Sequence, residues 1–337
     1  MQHATLTTPP ADNLAETGWQ AVLAGAVSDP AELCRLLRLP AGLAAEATLA
    51  ARQFPLRVPR PYLARIRPGD PRDPLLAQVL PTREEQADRP HFVRDPLGEA
   101  ASVCPAGLLR KYRRRVLILA SGACGVHCRF CFRRHFPHLD AKNSFAAALA
   151  RIAADESIEE VILSGGDPLV LSDRRLAELA GQLAEIPHLR RLRVHTRLPI
   201  VIPERVTGAL LAWLRGTRLA AWVVVHANHP AELDAAVAAA LGRLVDAGVP
   251  VLNQSVLLRG VNDRADVLAE LCRRLADLRV QPYYLHQLDR VAGAAHFEVP
   301  AARGLRLIES LRAELPGYAV PRYVRDRPGA ASKELLG

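Results

Sequence analysis

At 337 residues, half of them apolar, and with a formal net charge of +9, the chain can bury a large core and has room for one large domain plus a smaller one. No uncharged apolar run reaches the roughly 18 residues a membrane span needs, and residues 1–10 have neither a basic start nor an apolar stretch. Neither a span nor a secretory signal is therefore expected, and the default location is the cytoplasm; the excess positive charge is spread among arginines with few aromatics nearby, the pattern of a solvated basic surface rather than a nucleic-acid-binding face.

Residues 1–100 read as an extension, helix-containing but irregular. Pro55, Pro59, Pro61, Pro68, Pro71, Pro74 and Pro81 favour turns and extended segments over long helices, and residues 1–90 carry no chemistry that can be named. From Arg115 onward, short apolar runs beginning at Val116, Glu160, Leu192, Ala221, Val249 and Val280 alternate with helical periodicity over 145–154, 174–186, 232–247 and 264–278. Six βα units in succession require parallel strands joined by right-handed crossovers. An α/β fold, a partial (βα)6 barrel, is expected over 101–315, followed by a C-terminal segment, 316–337. In such a barrel ligands gather at the C-terminal strand ends. Those ends carry Cys124, then Gly165, Gly166 and Asp167, then His195 and Arg197, His226 and Asn228, Asn253 and Gln254, and finally Asp289.

Three of the six cysteines, Cys124, Cys128 and Cys131, fall within eight residues as CxxxCxxC directly after the first strand, which in a reducing compartment points to metal rather than cross-links. Three thiolates on a tight loop suit three irons of a [4Fe-4S] cube and leave the fourth iron open to a substrate. A zinc site with His127 or His135 as fourth ligand is the competing reading, although no second CxxC pair is present. Cys34, Cys104 and Cys272 are isolated and read as packing residues. Around the cluster, residues 101–139 contain no acid but do contain Arg110, Lys111, Arg113, Arg114, Arg115, Arg129, Arg133 and Arg134, a patch suited to phosphates and carboxylates. Only Lys111, Lys142 and Lys333 are lysine. An arginine-biased chain replaces lysine wherever either cation serves, but chemistry that needs a neutral amine cannot accept that swap, so each remaining lysine is a candidate nucleophile.

The cysteine spacing on the first strand of a partial barrel, with Gly165-Gly166-Asp167 at the end of the second, resembles the radical S-adenosylmethionine superfamily. The resemblance implies that the open iron chelates S-adenosylmethionine, that one electron from an external donor splits the sulfonium to a 5'-deoxyadenosyl radical, and that the Gly-Gly-Asp segment contacts the methionine amino group. From about Phe54 onward, PYLARIRPGDPRDPLLAQVLPT, CRFCFRR, LSGGDPL, NQSVLLRGVND, AAHF and DRPGAASK further resemble, in that order, the lysine 2,3-aminomutase family. LDRVAGAAHF is most similar to the branch that makes β-lysine for modifying elongation factor P.

That family resemblance implies a second cofactor, pyridoxal 5'-phosphate, with Lys333 as its Schiff-base lysine and Lys111, Tyr112 and Arg115 among its contacts. His226 and Gln254, at strand ends, join the expected cofactor contacts. Arg133 matches the position that binds the substrate carboxylate, and Asp289 and Asp326 match the pair that binds the distal ammonium, which favours lysine over glutamate as substrate. A radical enzyme acting on another amino acid or on RNA is one alternative, and a non-catalytic metal-binding interaction protein is another. The chain stops four residues after Lys333, and a monomer or weak dimer is expected.

Overall fold

The computed structural model describes residues 17–104, 107–136 and 144–337; residues 1–16, Lys142 and the side chain of Cys104 lie outside it. Ten strands lie side by side in chain order in one open sheet. They are β1 (Val103–Cys104), β2 (Leu108–Leu109), β3 (Arg115–Ser121), β4 (Glu160–Gly165), β5 (Arg191–Thr196), β6 (Ala220–Val225), β7 (Val251–Val256), β8 (Gln281–His286), β9 (Arg322–Arg325) and β10 (Glu334–Leu335). Strands β3 to β9 are parallel, with β1 and β2 added antiparallel at one edge and β10 antiparallel at the other. Crossover helices follow β3 to β8: Ala146–Ala153, Asp173–Ala184, Gly208–Gly216, Ala235–Asp246, Ala265–Asp277 and Ala301–Glu314. The six expected βα units are present.

The sheet does not stop at the sixth of those strands. Residues 316–337, expected as a trailing segment, supply β9 parallel to β8 and then β10. Their sequence hides this, because RYVR is too short and too charged to read as a strand, yet Tyr323 and Val324 within it are fully buried. The helix Ala301–Glu314 also escapes the periodicity reading. Gly304 weakens its helical signal, but a Cβ there would run into the ring of Tyr323, so glycine is what lets helix and strand approach.

Alternation along the strands separates packing from chemistry. Val161, Leu163, Leu192 and Val194 are 0% exposed and share a core with Leu176, Leu179 and Leu183 of the helix Asp173–Ala184; each such side chain contributes about 1.5–3 kcal/mol. Their neighbours Ile162, Ser164, Arg193 and His195 point the other way and line a cavity. The N-terminal extension joins the same core through Trp19, Leu33, Tyr62, Leu75 and Leu76. Its prolines begin helices: Pro30 and Pro74 occupy first turns capped by the carboxylates of Asp29 and Asp73. Among the described residues no helix is long and apolar enough to cross a membrane.

Candidate active site

A cavity of about 510 Å³ opens at the C-terminal ends of the parallel strands, and the residues expected to hold the cluster, the cofactors and the substrate line it; Asn253 does not, its side chain bonding the Ala227 backbone instead. That size is in the range of small-molecule sites. The loop after β3 carries the three cysteines, and the end of β4 is stitched to it: the Gly166 amide donates to the Ser121 carbonyl at 2.6 Å and the Asp167 amide to Ala123 at 2.8 Å. Gly165 has φ +117°, and a Cβ on it would stand 2.5 Å from the Ser121 oxygen, while one on Gly166 would meet the Ala123 backbone. Both positions therefore require glycine to let strand and loop touch.

The Asp167 carboxylate is spent inside the protein. It accepts from Thr196 Oγ1 (2.7 Å) and from the amides of Arg197 (2.7 Å), Leu198 (3.2 Å) and Leu169 (3.0 Å). What this segment presents to a ligand is its backbone, which narrows the contact expected of Asp167.

The basic stretch is not the free anion-binding patch that a window without acids suggested. Acids from distant parts of the chain reach into it. Buried Glu85 accepts from Arg129 (2.8 and 2.6 Å) and from Arg134 (2.5 Å). Buried Glu99 accepts from Arg133 (2.7 and 3.0 Å) and pairs with Lys111 (2.8 Å). Arg110 and Arg114 pair with Asp155 and Glu159. Arg115 is different: among the described residues it has no carboxylate partner, and its guanidinium lies over the Tyr112 ring at 4.5 Å. Sequence reasoning missed Glu85 and Glu99 because nothing near them in sequence marks them as partners of the cysteine loop.

Strand β9 and the turn after it bring Asp326 and Lys333 to the same cavity. The Lys333 ammonium ion-pairs with Asp326, the Tyr112 hydroxyl donates to the other Asp326 oxygen at 2.5 Å, and Lys333 Nζ lies 6.0 Å from the Tyr284 ring centre. Burial works to raise the Asp326 carboxyl, but Lys333 and Tyr112 hold it below its ordinary value. Asp289 has no ion-pair partner among the described residues, and burial together with the Asp326 charge pushes it up to about 7. Burial keeps His195, His226 and His286 neutral, the last two with values lowered to about 3. His226 Nε2 is 2.8 Å from Gln254 Nε2, whereas His195 Nε2 and His286 Nε2 are buried with no hydrogen-bond partner among the described residues.

These residues fit the groups the family resemblance implies. Burial and the neighbouring thiolates raise the Cys124 thiol, and burial and Cys128 push Cys131 up to about 11, the direction expected of thiols packed together at a site that a bound cation would fill. The described residues contain no three His, Cys, Asp or Glu side chains converging as a single-ion site, which a cube with one thiolate per iron does not need. Zinc would need a fourth ligand converging with the thiolates on one ion, and no such set is present among the described residues. The orphaned imidazole nitrogens, the Arg115 guanidinium and the Lys333 amine are polar groups suited to an anionic, carbonyl-bearing ligand.

Comparison with known proteins agrees with that geometry. A family described as a 4Fe-4S single cluster domain matches residues 113–188, which hold the cysteine loop and the Gly-Gly-Asp segment. The L-lysine 2,3-aminomutase of Escherichia coli (strain K12) is 46% identical over 98% of this chain and 96% of its own length. That of Haemophilus influenzae is 44% identical, covering 95% of this chain and 96% of its own, and that of Clostridium subterminale is 40% identical, covering 81% and 66%. Among solved structures, Streptococcus suis SuiB bound to S-adenosylmethionine is a distant likeness at 15% identity and TM-score 0.49, over 67% of this chain and 53% of that one. With a cysteine trio, a Gly-Gly-Asp strand end and the Lys333 amine lining one cavity, the chain belongs to the L-lysine 2,3-aminomutase family of isomerases, radical S-adenosylmethionine enzymes with a [4Fe-4S] cluster and pyridoxal 5'-phosphate as cofactors.

Proposed function

We propose that this enzyme moves the α-amino group of L-lysine to the adjacent carbon, giving β-lysine, and that the product serves the modification of elongation factor P. The observation that carries the reading is the return of the C-terminal segment as β9 and β10, with Asp326, Lys333 and the cysteine loop all lining one cavity. Cluster and S-adenosylmethionine supply hydrogen-atom abstraction, and pyridoxal phosphate supplies the carbonyl that carries the migrating nitrogen. Cys124, Cys128 and Cys131 would hold the irons, the Gly165–Gly166 backbone would contact S-adenosylmethionine, and Arg115 and Tyr112 would contact pyridoxal phosphate. Arg133 meets the substrate carboxylate through the one Nη2 hydrogen that Glu99, Ser164 and Gly165 leave it.

Charge explains the choice of lysine. In the structure the Lys333 ammonium occupies Asp326. An incoming substrate brings its own distal ammonium to that carboxylate, where it takes the place the Lys333 ammonium holds here. Asp289, poised near 7, ionises when that ammonium arrives. A glutamate side chain would set carboxylate against carboxylate. Leu97, Leu117 and Phe132 in the lining keep water from the reacting centre.

The test is an anaerobic incubation of reconstituted protein with S-adenosylmethionine, pyridoxal phosphate, a low-potential reductant and L-lysine, with amino acids resolved by chromatography. β-Lysine is the expected product, absent when glutamate replaces lysine or pyridoxal phosphate is left out. 5'-Deoxyadenosine without β-lysine would overturn the substrate, and neither product from protein with an intact cluster would overturn the activity.

A further inference from the structure

We propose that Arg197 sets the reduction potential of the iron-sulfur cluster by donating a hydrogen bond to the sulfur of Cys128, with Glu232 and Gln78 as the residues that hold it there. The inference rests on Cys128 being a cluster ligand. Arg197 follows β5, and its Nη1 lies 2.7 Å from Cys128 Sγ. Its other terminal nitrogen, Nη2, donates to Gln78 Oε1 at 2.6 Å and to Glu232 Oε2 at 2.9 Å, and its backbone amide donates to Asp167 at 2.7 Å.

The holders are themselves held. Gln78 Nε2 donates to Glu232 Oε1 at 3.1 Å, the Asn228 side chain donates to Gln78 Oε1 at 2.9 Å, and the amides of Asn228 and His229 donate to Glu232 Oε1 at 2.9 and 3.1 Å. The rings of Tyr62 and Phe130 flank the guanidinium at 5.7 and 5.6 Å, and Arg197, Gln78 and Glu232 are all buried. A cation aimed at a sulfur in so dry a setting is a strong electrostatic feature.

Its consequence follows from where charge goes. One-electron reduction from the 2+ to the 1+ state, by a low-potential external donor and with no proton transferred, adds negative charge to iron and sulfur. An N–H donor and a nearby positive charge stabilise the reduced state more than the oxidised one, and hydrogen bonds to sulfur with local charge are known determinants of cluster potential. The Glu232 carboxylate opposes this by neutralising Arg197. The pair therefore acts as two opposed settings on the electron that starts the reaction.

The experiment is an EPR-monitored redox titration of anaerobically reconstituted full-length enzyme, with iron content measured on each sample. Arg197→Lys keeps a cation beside Glu232 but loses the planar fork that reaches carboxylate and sulfur together. It is expected to lower the reduced-to-oxidised ratio at a fixed potential about tenfold, 59 mV for a one-electron couple. Glu232→Gln is expected to shift the ratio the opposite way. Arg129→Lys serves as the control, because Arg129 is buried on the same loop yet bonds Glu85 instead of sulfur; its potential should match wild type.

An unmoved potential in Arg197→Lys with full iron overturns the proposal, as does an equal shift in Arg129→Lys, which would report loop distortion. If Arg197→Lys fails to assemble a cluster, Glu232→Gln decides alone, and a potential at or below wild type overturns it. A wild-type enzyme without a four-iron cluster would remove the cysteine assignment and this inference together. An intact wild-type cluster with unmoved variants would remove this inference only.

Discussion

Replacing Glu99 by Gln isolates a buried carboxylate shared by two cations that line the active-site cavity. Glu99 holds Arg133 by two hydrogen bonds, at 2.7 and 3.0 Å, and Lys111 at 2.8 Å. Removing one partner of a buried pair costs about 3–5 kcal/mol, because the other charge is left uncompensated. Two features place this site at the lower end. Arg133 Nη1 keeps Ser164 Oγ at 3.2 Å and the Gly165 carbonyl at 3.1 Å, and the Lys111 side chain is 24% exposed and regains some hydration. The expected loss is about 3 kcal/mol at neutral pH. The pH dependence gives the sharper test. Burial works to raise the Glu99 carboxyl, but Arg133 and Lys111 hold it below its ordinary value of 4.5. A depressed acid contributes stability that is fully present above its unfolded pKa and is lost as pH falls through the folded value, whereas glutamine does not titrate. The gap between wild type and variant should therefore be widest near pH 7 and should close as pH falls below about 4. Guanidinium unfolding followed by circular dichroism at several pH values measures it. A gap under about 1 kcal/mol at pH 7, the worth of a surface pair, or one that does not change with pH, would refute the reasoning.

Lys333→Ala should abolish β-lysine formation and the imine absorbance of added pyridoxal phosphate while leaving iron content and cluster spectrum intact; normal turnover would remove its role as the cofactor amine. Asp289 must be ionised to hold an ammonium, and its carboxyl sits near 7 because of burial and Asp326. The KM for lysine should therefore fall as pH rises through 7, and Asp289→Asn should weaken lysine binding and flatten that limb, as a pH series of initial rates will tell. Gly166→Ala would place a methyl group 2.7 Å from the Ala123 carbonyl carbon. Overpacking of this kind costs about 1–3 kcal/mol, so the variant should melt earlier and take up less iron on reconstitution, and wild-type iron uptake would mean the cysteine loop tolerates the shift.

Local patterns in the sequence were enough to find the barrel and the cluster. The short apolar runs of β3 to β8 and the 3.6-residue periodicity of four crossover helices are properties of short windows, and so is CxxxCxxC. Lysine scarcity narrowed the candidate amines to Lys111, Lys142 and Lys333 for a chemical reason, since no arginine can replace an amine that must deprotonate, and it was the family resemblance that pointed to Lys333 among them. The strand β9 was invisible because its four residues, RYVR, present only two buried positions.

What stayed hidden is the pairing of charges, and its cause is distance along the chain. Glu99 meets Arg133 across 34 residues, Gln78 meets Arg197 across 119, and Tyr112 meets Asp326 across 214. No window joins such partners, so a stretch without acids read as free positive charge when most of it was already neutralised. The same fact explains why the N-terminal extension belongs to the catalytic machinery. A barrel interior that must bind carboxylates and a phosphate needs many arginines, and buried arginines need carboxylates. The cysteine loop draws them from outside the βα units: Glu85 and Glu99 come from the preceding segment, as does Gln78, which steadies Arg197 beside Cys128. Deleting that segment should therefore cost the cluster its setting as well as the core its packing, and a chain beginning at the first parallel strand should not take up iron.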